Sequence, residues 1–118
     1  MVLMVSGART AADHTEEPRE ACCSSYHRAV ELVGKRWTGA ILIVLMDGPA
    51  RFTEVKQLVP DLSDRLLSER MKELEAEGIV NRRVIDDMPV RVEYSLTVKG
   101  RALQPAVTAL KAWAQSWL

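Results

Sequence analysis

The chain has 118 residues, 47% of them apolar and 27% charged, and its 16 basic and 16 acidic side chains leave a formal net charge of zero. That is room for one domain with a modest core, and it excludes a two-domain enzyme and a disordered chain. The longest uninterrupted apolar run, Ala40 to Met46, is too short to cross a bilayer, and with no overall field to draw in phosphates any nucleic-acid reading must rest on a local surface.

Residues 1 to 20 show neither helical nor strand periodicity and collect Ser, Gly, Thr, Pro and acids, so they are expected to form a disordered tail ahead of a single domain at 21–118. The first positive charge, Arg9, follows the apolar start instead of preceding it, which does not fit a secretory signal; a cytoplasmic protein with no membrane partner is expected. The adjacent Cys22 and Cys23 cannot make a framework of spaced disulfides, so they matter as thiols if they matter at all.

Tyr26, Ala29, Val30 and Val33 recur at helical spacing and predict a first amphipathic helix, closed by Gly34. Trp37 to Met46 is apolar nearly all round, and its length favours a buried helix over a strand; Asp47-Gly48-Pro49 ends it. Phe52, Val55, Leu58 and Val59 predict a third helix with Thr53 as its N-cap and Pro60 as its end. Ser63 then starts a fourth, buried through Leu67, Met71 and Leu74 and stopped by Gly78. Two short helices joined by a tight turn make a helix-turn-helix.

The period then changes to two. Val92, Tyr94 and Leu96 alternate with polar neighbours, Ile79 to Ile85 is β-branched enough to pair with them, and Asp86-Asp87-Met88-Pro89 supplies the turn. A hairpin directly after a recognition helix is a wing. Thr97 caps the last helical stretch, where Leu103, Val107, Leu110, Ala114 and Trp117 form a seam, and Pro105 is expected to kink or divide it. The predicted fold is mainly α with a β-hairpin wing, a winged helix-turn-helix dimerised through its terminal helices.

Gly34-Lys35-Arg36-Trp37, Asp47-Gly48-Pro49 with Arg51-Phe52, the run Leu66 to Glu75, and Val92-Glu93-Tyr94-Ser95-Leu96-Thr97 with Gly100 together resemble the HxlR-type winged helix-turn-helix regulators. The resemblance covers about residues 22 to 118 and implies a homodimer that binds double-stranded operator DNA, an inverted repeat, and represses or activates nearby genes. It extends to the branch that senses quinones, aldehydes or other oxidants through a cysteine just ahead of the first helix, because Cys23 lies fourteen residues before Trp37. That branch often follows its cysteine with proline; here Ser24 follows Cys23 and Cys22 precedes it. Some members use a second cysteine near the C-terminus, and this sequence has none there, so an intersubunit disulfide would have to pair the N-terminal thiols.

For DNA contact, Ser63, Asp64, Arg65, Ser68 and Lys72 are expected on the face opposite Leu67, Met71 and Leu74, where arginine suits guanine and phosphate and serine donates to either. The bland alternative is a solvated face with incidental charges. Asp64 repels phosphate, so it either accepts from a cytosine amino group or caps the helix and orients Arg65. On the wing, Arg91 is favoured over Arg82 and Arg83 for groove or backbone contact, against ordinary strand-surface charge. Arg51 is placed either to reach a phosphate or to pair with Glu54.

Leu103, Val107, Leu110, Trp113 and Trp117, with Tyr26 and Val30 of the first helix, are assigned to the dimer interface, since so small a chain has little interior for two terminal tryptophans. The alternative is that they fill the monomer's own core. Enzyme readings lack support: there is no nucleophile elbow or phosphate loop, and the only histidines are His14 and His27. A zinc site from Cys22, Cys23 and His27 would lack a fourth ligand, so no cofactor or metal is expected. The competing functional classes are a winged-helix protein-interaction module and a regulator answering to a noncovalent ligand at the dimer interface.

Overall fold

The computed structural model describes Ala21 and residues 23–118; the expected tail at 1–20 and the thiol of Cys22 lie outside the described residues. The described elements are α1 (Ser24–Val33), α2 (Thr38–Met46), β1 (Ala50–Arg51), α3 (Phe52–Leu58), α4 (Asp64–Ala76), β2 (Val80–Ile85), β3 (Arg91–Leu96), α5 (Val98–Arg101) and α6 (Gln104–Trp117). Residues 31–118 form one compact unit, while the residues up to Val30, including most of α1, belong to another.

The core of residues 31–118 follows from three apolar stripes. α2 contributes the fully buried Ile41, Leu42 and Leu45, α4 contributes Leu67, Met71 and Leu74, and Val55 of α3 with Leu62 of the turn fills the space between the two halves of the helix-turn-helix. Ile79, Val80 and Leu96 close it from the sheet side. The fourth helix begins and ends as its sequence requires. Ser63 Oγ accepts from Leu66 N–H at 3.1 Å, one of the donors a helix start leaves unpaired. At the other end Gly78 takes a left-handed φ of 73°, so Ile79 N–H reaches back to the Leu74 carbonyl at 2.9 Å and Gly78 N–H to Glu75 at 3.0 Å.

The sheet has order β1-β3-β2 and is antiparallel throughout. Its register puts Val80 opposite Leu96 and Arg82 opposite Tyr94 on one face, with Asn81 opposite Ser95 and Arg83 opposite Glu93 on the other. β1 is a two-residue strand with no period of its own; it exists because Ala50 and Arg51 pair with Tyr94 and Glu93, far away in sequence.

Two local expectations are corrected and a third is met. The third helix starts at Phe52 with Arg51 as its N-cap, not Thr53, because the Glu54 carboxylate accepts from the Arg51 N–H at 2.8 Å and closes the first turn one step earlier. Gly34 does follow α1, but the left-handed residue of that connection is Trp37, with φ 75°, a conformation that costs a non-glycine side chain. Pro105 divides the terminal helix: α5 ends at Arg101, and the proline stands in the first turn of α6, where its missing N–H has no partner to lose.

Candidate nucleic-acid interface

The exposed face of α4 carries Arg65 and Lys72, with the Arg65 side chain 91% exposed. At 100° per residue these two stand opposite the Leu67, Met71 and Leu74 stripe, as expected of a surface meant to enter a groove. Ser68 is half-buried, because it lies a single step from Leu67 and three from Met71 and so borders the buried stripe instead of opposing it. Ser63 is exposed, but its hydroxyl is already an acceptor for the helix start. Its O–H remains able to donate.

Asp64 does not orient Arg65. Its Oδ1 lies 3.4 Å from Lys56 Nζ, and Lys56 also donates to the Leu62 carbonyl, so the lysine of α3 ties down the turn of the helix-turn-helix. Arg65 instead pairs along its own helix with Glu69, Nε to Oε2 at 3.2 Å. Such exposed i,i+4 pairs are worth about 0.3–0.5 kcal/mol, less than a phosphate or guanine contact, so Arg65 is held loosely and exchanges readily. Lys72 has no ion pair among the described residues.

On the sheet, Arg51 and Arg83 both stand opposite Glu93 in register, one on each neighbouring strand, on one face. Arg51 also approaches Glu54 at 3.6 Å, the alternative foreseen for it. Arg91 is tied to the tip of the wing: its Nη2 lies 2.9 Å from Asp87 Oδ2, while its buried Nε has no hydrogen-bond partner. The pairing cancels one of the two tip carboxylates that would repel a phosphate backbone. Arg51, Arg65 and Arg91 are each paired with a nearby acid, while Lys72 carries no ion pair among the described residues.

Residues that the sequence reading did not single out hold the recognition helix in place. Arg70 Nε donates to the Arg36 carbonyl at 3.0 Å, its Nη1 lies 3.3 Å from both Glu73 carboxylate oxygens, and Lys35 Nζ reaches Glu73 Oε2 at 3.1 Å. The signals for them were the Gly34-Lys35-Arg36-Trp37 motif and the run Leu66 to Glu75, but a contact spanning 38 residues has no local periodicity to announce that the two meet.

The seam of the terminal helix splits in two. Val107 is 6% exposed and belongs to the core, which corrects its assignment to a dimer surface, while Leu103 is half-buried and packs against that core. The reason is position: Leu103 is the N-cap of α6 and Val107 lies in its first turns, on the helix that packs on α2, whereas Leu110, Trp113 and Trp117 further along remain 61%, 53% and 75% exposed. On α1, Tyr26 and Val30 are also exposed. Cys23 stands directly ahead of α1, where its carbonyl accepts from His27 N–H at 3.0 Å. It is exposed, and the backbone N–H groups of Tyr26 and Ser25 at the helix start hold its thiol below the ordinary cysteine value.

No described helix is long and apolar enough to cross a membrane. The description "HxlR-like helix-turn-helix" matches residues 32–118. The chain is 48% identical over 96 residues to the HTH-type transcriptional regulator YvaP of Bacillus subtilis, covering 81% of this chain and 89% of that one. It is 47% identical over 95 residues to the HTH-type transcriptional regulator YodB of the same organism, covering 80% and 85%. The reduced form of YodB superposes with a TM-score of 0.75 at 46% identity over 82% of this chain and 95% of that one; diamide-treated and quinone-bound YodB give 0.72 and 0.71. The oxidized form of the redox regulator HypR gives 0.75 at 38% identity, covering 78% and 95%. A helix-turn-helix with a hairpin wing, an exposed basic recognition face and these relatives lead to one assignment: the chain belongs to the HxlR-like helix-turn-helix family and is a transcriptional regulator.

Proposed function

We propose that this regulator is a cytoplasmic, dimeric repressor whose residues 21–118 bind an inverted-repeat operator and release it when Cys23 reacts with an oxidant or electrophilic quinone. Arg65, Lys72 and Ser68 of α4 read the major groove, Ser63 and Asp64 stand at its entry, and Arg51 and Arg91 grip the flanking backbone. Leu110, Trp113 and Trp117 of α6 contribute one dimer contact surface and, separately, Tyr26 and Val30 of α1 another; two twofold-related recognition helices then require half-sites about 34 Å apart or a multiple of it.

The observation that carries the sensing step is Cys23 itself, an exposed thiol whose ionised form the start of α1 favours. A thiolate there adds to a quinone carbon, forming one S–C bond while the ring takes up a proton to become a hydroquinone thioether. With diamide, two thiols lose two protons and two electrons to the N=N bond as their own S–S bond forms. Support comes from YodB, solved with diamide treatment and with quinone bound.

The test is gel-shift titration of the protein's own upstream DNA with wild type, Cys23→Ser and Cys22→Ser, before and after diamide or a benzoquinone. Release by wild type and Cys22→Ser but not by Cys23→Ser is the expected result. Equal release by all three removes Cys23 as the switch and leaves a noncovalent effector. No binding to any duplex, with no salt-dependent affinity, would instead favour the protein-interaction reading.

A further inference from the structure

The recognition helix carries two charged residues that face neither the core nor the exposed basic surface. Arg70 and Glu73 lie on its flank, and both are directed at the turn between α1 and α2. The Arg70 side chain is only 15% exposed, and its guanidinium bridges the Arg36 carbonyl and the Glu73 carboxylate. Glu73 in turn receives Lys35. Two cations from segments 34 to 38 residues apart therefore share one carboxylate and one carbonyl.

In the turn they grip, Trp37 has φ 75° and the Arg36 guanidinium lies 5.2 Å from the Trp37 ring centroid. A helix whose core side is apolar can still roll about its axis, since Leu67, Met71 and Leu74 fix depth better than angle. Polar contacts on one flank remove that freedom, because hydrogen bonds are directional where apolar contacts are not.

We infer that Glu73, with Arg70 and Lys35, is a positioning unit that sets the roll of the recognition helix and thereby the specificity of operator binding, without touching DNA. This rests on the reading that α4 enters the groove. It separates cleanly from a plain electrostatic role. Replacing Glu73 by lysine adds two positive charges beside the DNA-binding face, so a charge effect alone predicts tighter binding and a steeper salt dependence. A positioning role predicts the opposite for the cognate site, because Arg65 would be turned away from its base.

The experiment uses the full chain and two probes: a duplex selected by wild type from a random-sequence pool, and a scrambled duplex of equal length. Glu73→Lys and Lys35→Glu are each expected to weaken binding to the selected duplex about tenfold, with the scrambled duplex bound at least as well by Glu73→Lys. The exchanged pair, Lys35→Glu with Glu73→Lys, is expected to recover most of the selected-site affinity. Glu73→Gln, which keeps the shape and loses the charge, covers the event that the lysine variant does not fold; it is expected to lose several-fold in the ratio of selected to scrambled affinity at unchanged urea stability. Tighter selected-site binding by Glu73→Lys, or an unchanged ratio for Glu73→Gln, overturns the inference. Failure of wild type to select any duplex would defeat the groove reading instead.

Discussion

Gly100 is where the wing and the terminal helices meet, and Gly100→Ala measures how tightly they are joined. A Cβ placed there lies 2.2 Å from the Ile79 carbonyl oxygen and 3.2 Å from Leu96 Cδ2. Real contacts of this kind hold at 3.0 Å or more, so α5 must retreat by about 0.8 Å from a backbone atom that cannot rotate aside. That oxygen already accepts from Thr97 N–H at 3.0 Å and from Thr97 Oγ1 at 3.2 Å, and the same hydroxyl accepts from Gly100 N–H at 3.0 Å while donating to Gly78 at 2.5 Å. A retreat of that size carries the first of these bonds beyond hydrogen-bonding distance. Overpacking costs about 1–3 kcal/mol and the lost cap about 1 kcal/mol, against a gain of about 1 kcal/mol in helix propensity, which leaves a loss of about 2 kcal/mol. Urea denaturation at matched protein concentration measures it, with Thr97→Ala as the comparator that removes the cap without the clash and costs about 1 kcal/mol. If Gly100→Ala proves as stable as wild type, the close approach of α5 to Ile79 is wrong.

Arg65→Ala is expected to weaken operator binding by about 1–3 kcal/mol with stability unchanged, since the pair with Glu69 that it breaks is exposed; fluorescence anisotropy at fixed salt measures the affinity and urea denaturation the stability, and wild-type affinity would remove Arg65 from the recognition surface. Leu110→Asp with Trp113→Asp is expected to yield monomers in sedimentation velocity while the fold survives, because both side chains are more than half exposed in the single chain; an unaltered dimer refutes the assigned interface. In Cys22→Ser protein, iodoacetamide should alkylate Cys23 with a pH midpoint below the ordinary cysteine value of about 8.5, because the folded helix start stabilises the thiolate and so extends reactivity toward lower pH. In denaturing urea the midpoint should rise again; a midpoint that does not move on denaturation would falsify the helix-start effect.

Much of this architecture is legible in one dimension because its signals are local. The stripe of Leu67, Met71 and Leu74, the cap at Ser63, the stop at Gly78 and the alternation through Val92, Tyr94 and Leu96 each lie within a few residues of one another, and backbone geometry turns such spacing directly into a helix or a strand. The division at Pro105 is legible for the same reason, being a property of a single ring. The four separated motifs that marked the family were equally readable, since each is a short run in a fixed order.

What tertiary structure alone decided lies between distant segments. β1 exists only through its pairing with β3, and Glu93 became the partner of both Arg51 and Arg83 through sheet order, not sequence. Lys35 and Arg36 met Glu73 and Arg70 across more than thirty residues. The terminal seam looked uniform because helical spacing says which side chains share a face and not how far along that face the rest of the chain extends. α2 covers Val107 and stops, so the same stripe is core at one end and open surface at the other. Ser68 belongs on the other side of that line: its spacing from Leu67 and Met71 already puts it at the border of the buried stripe, and packing decided only that this border is half-covered.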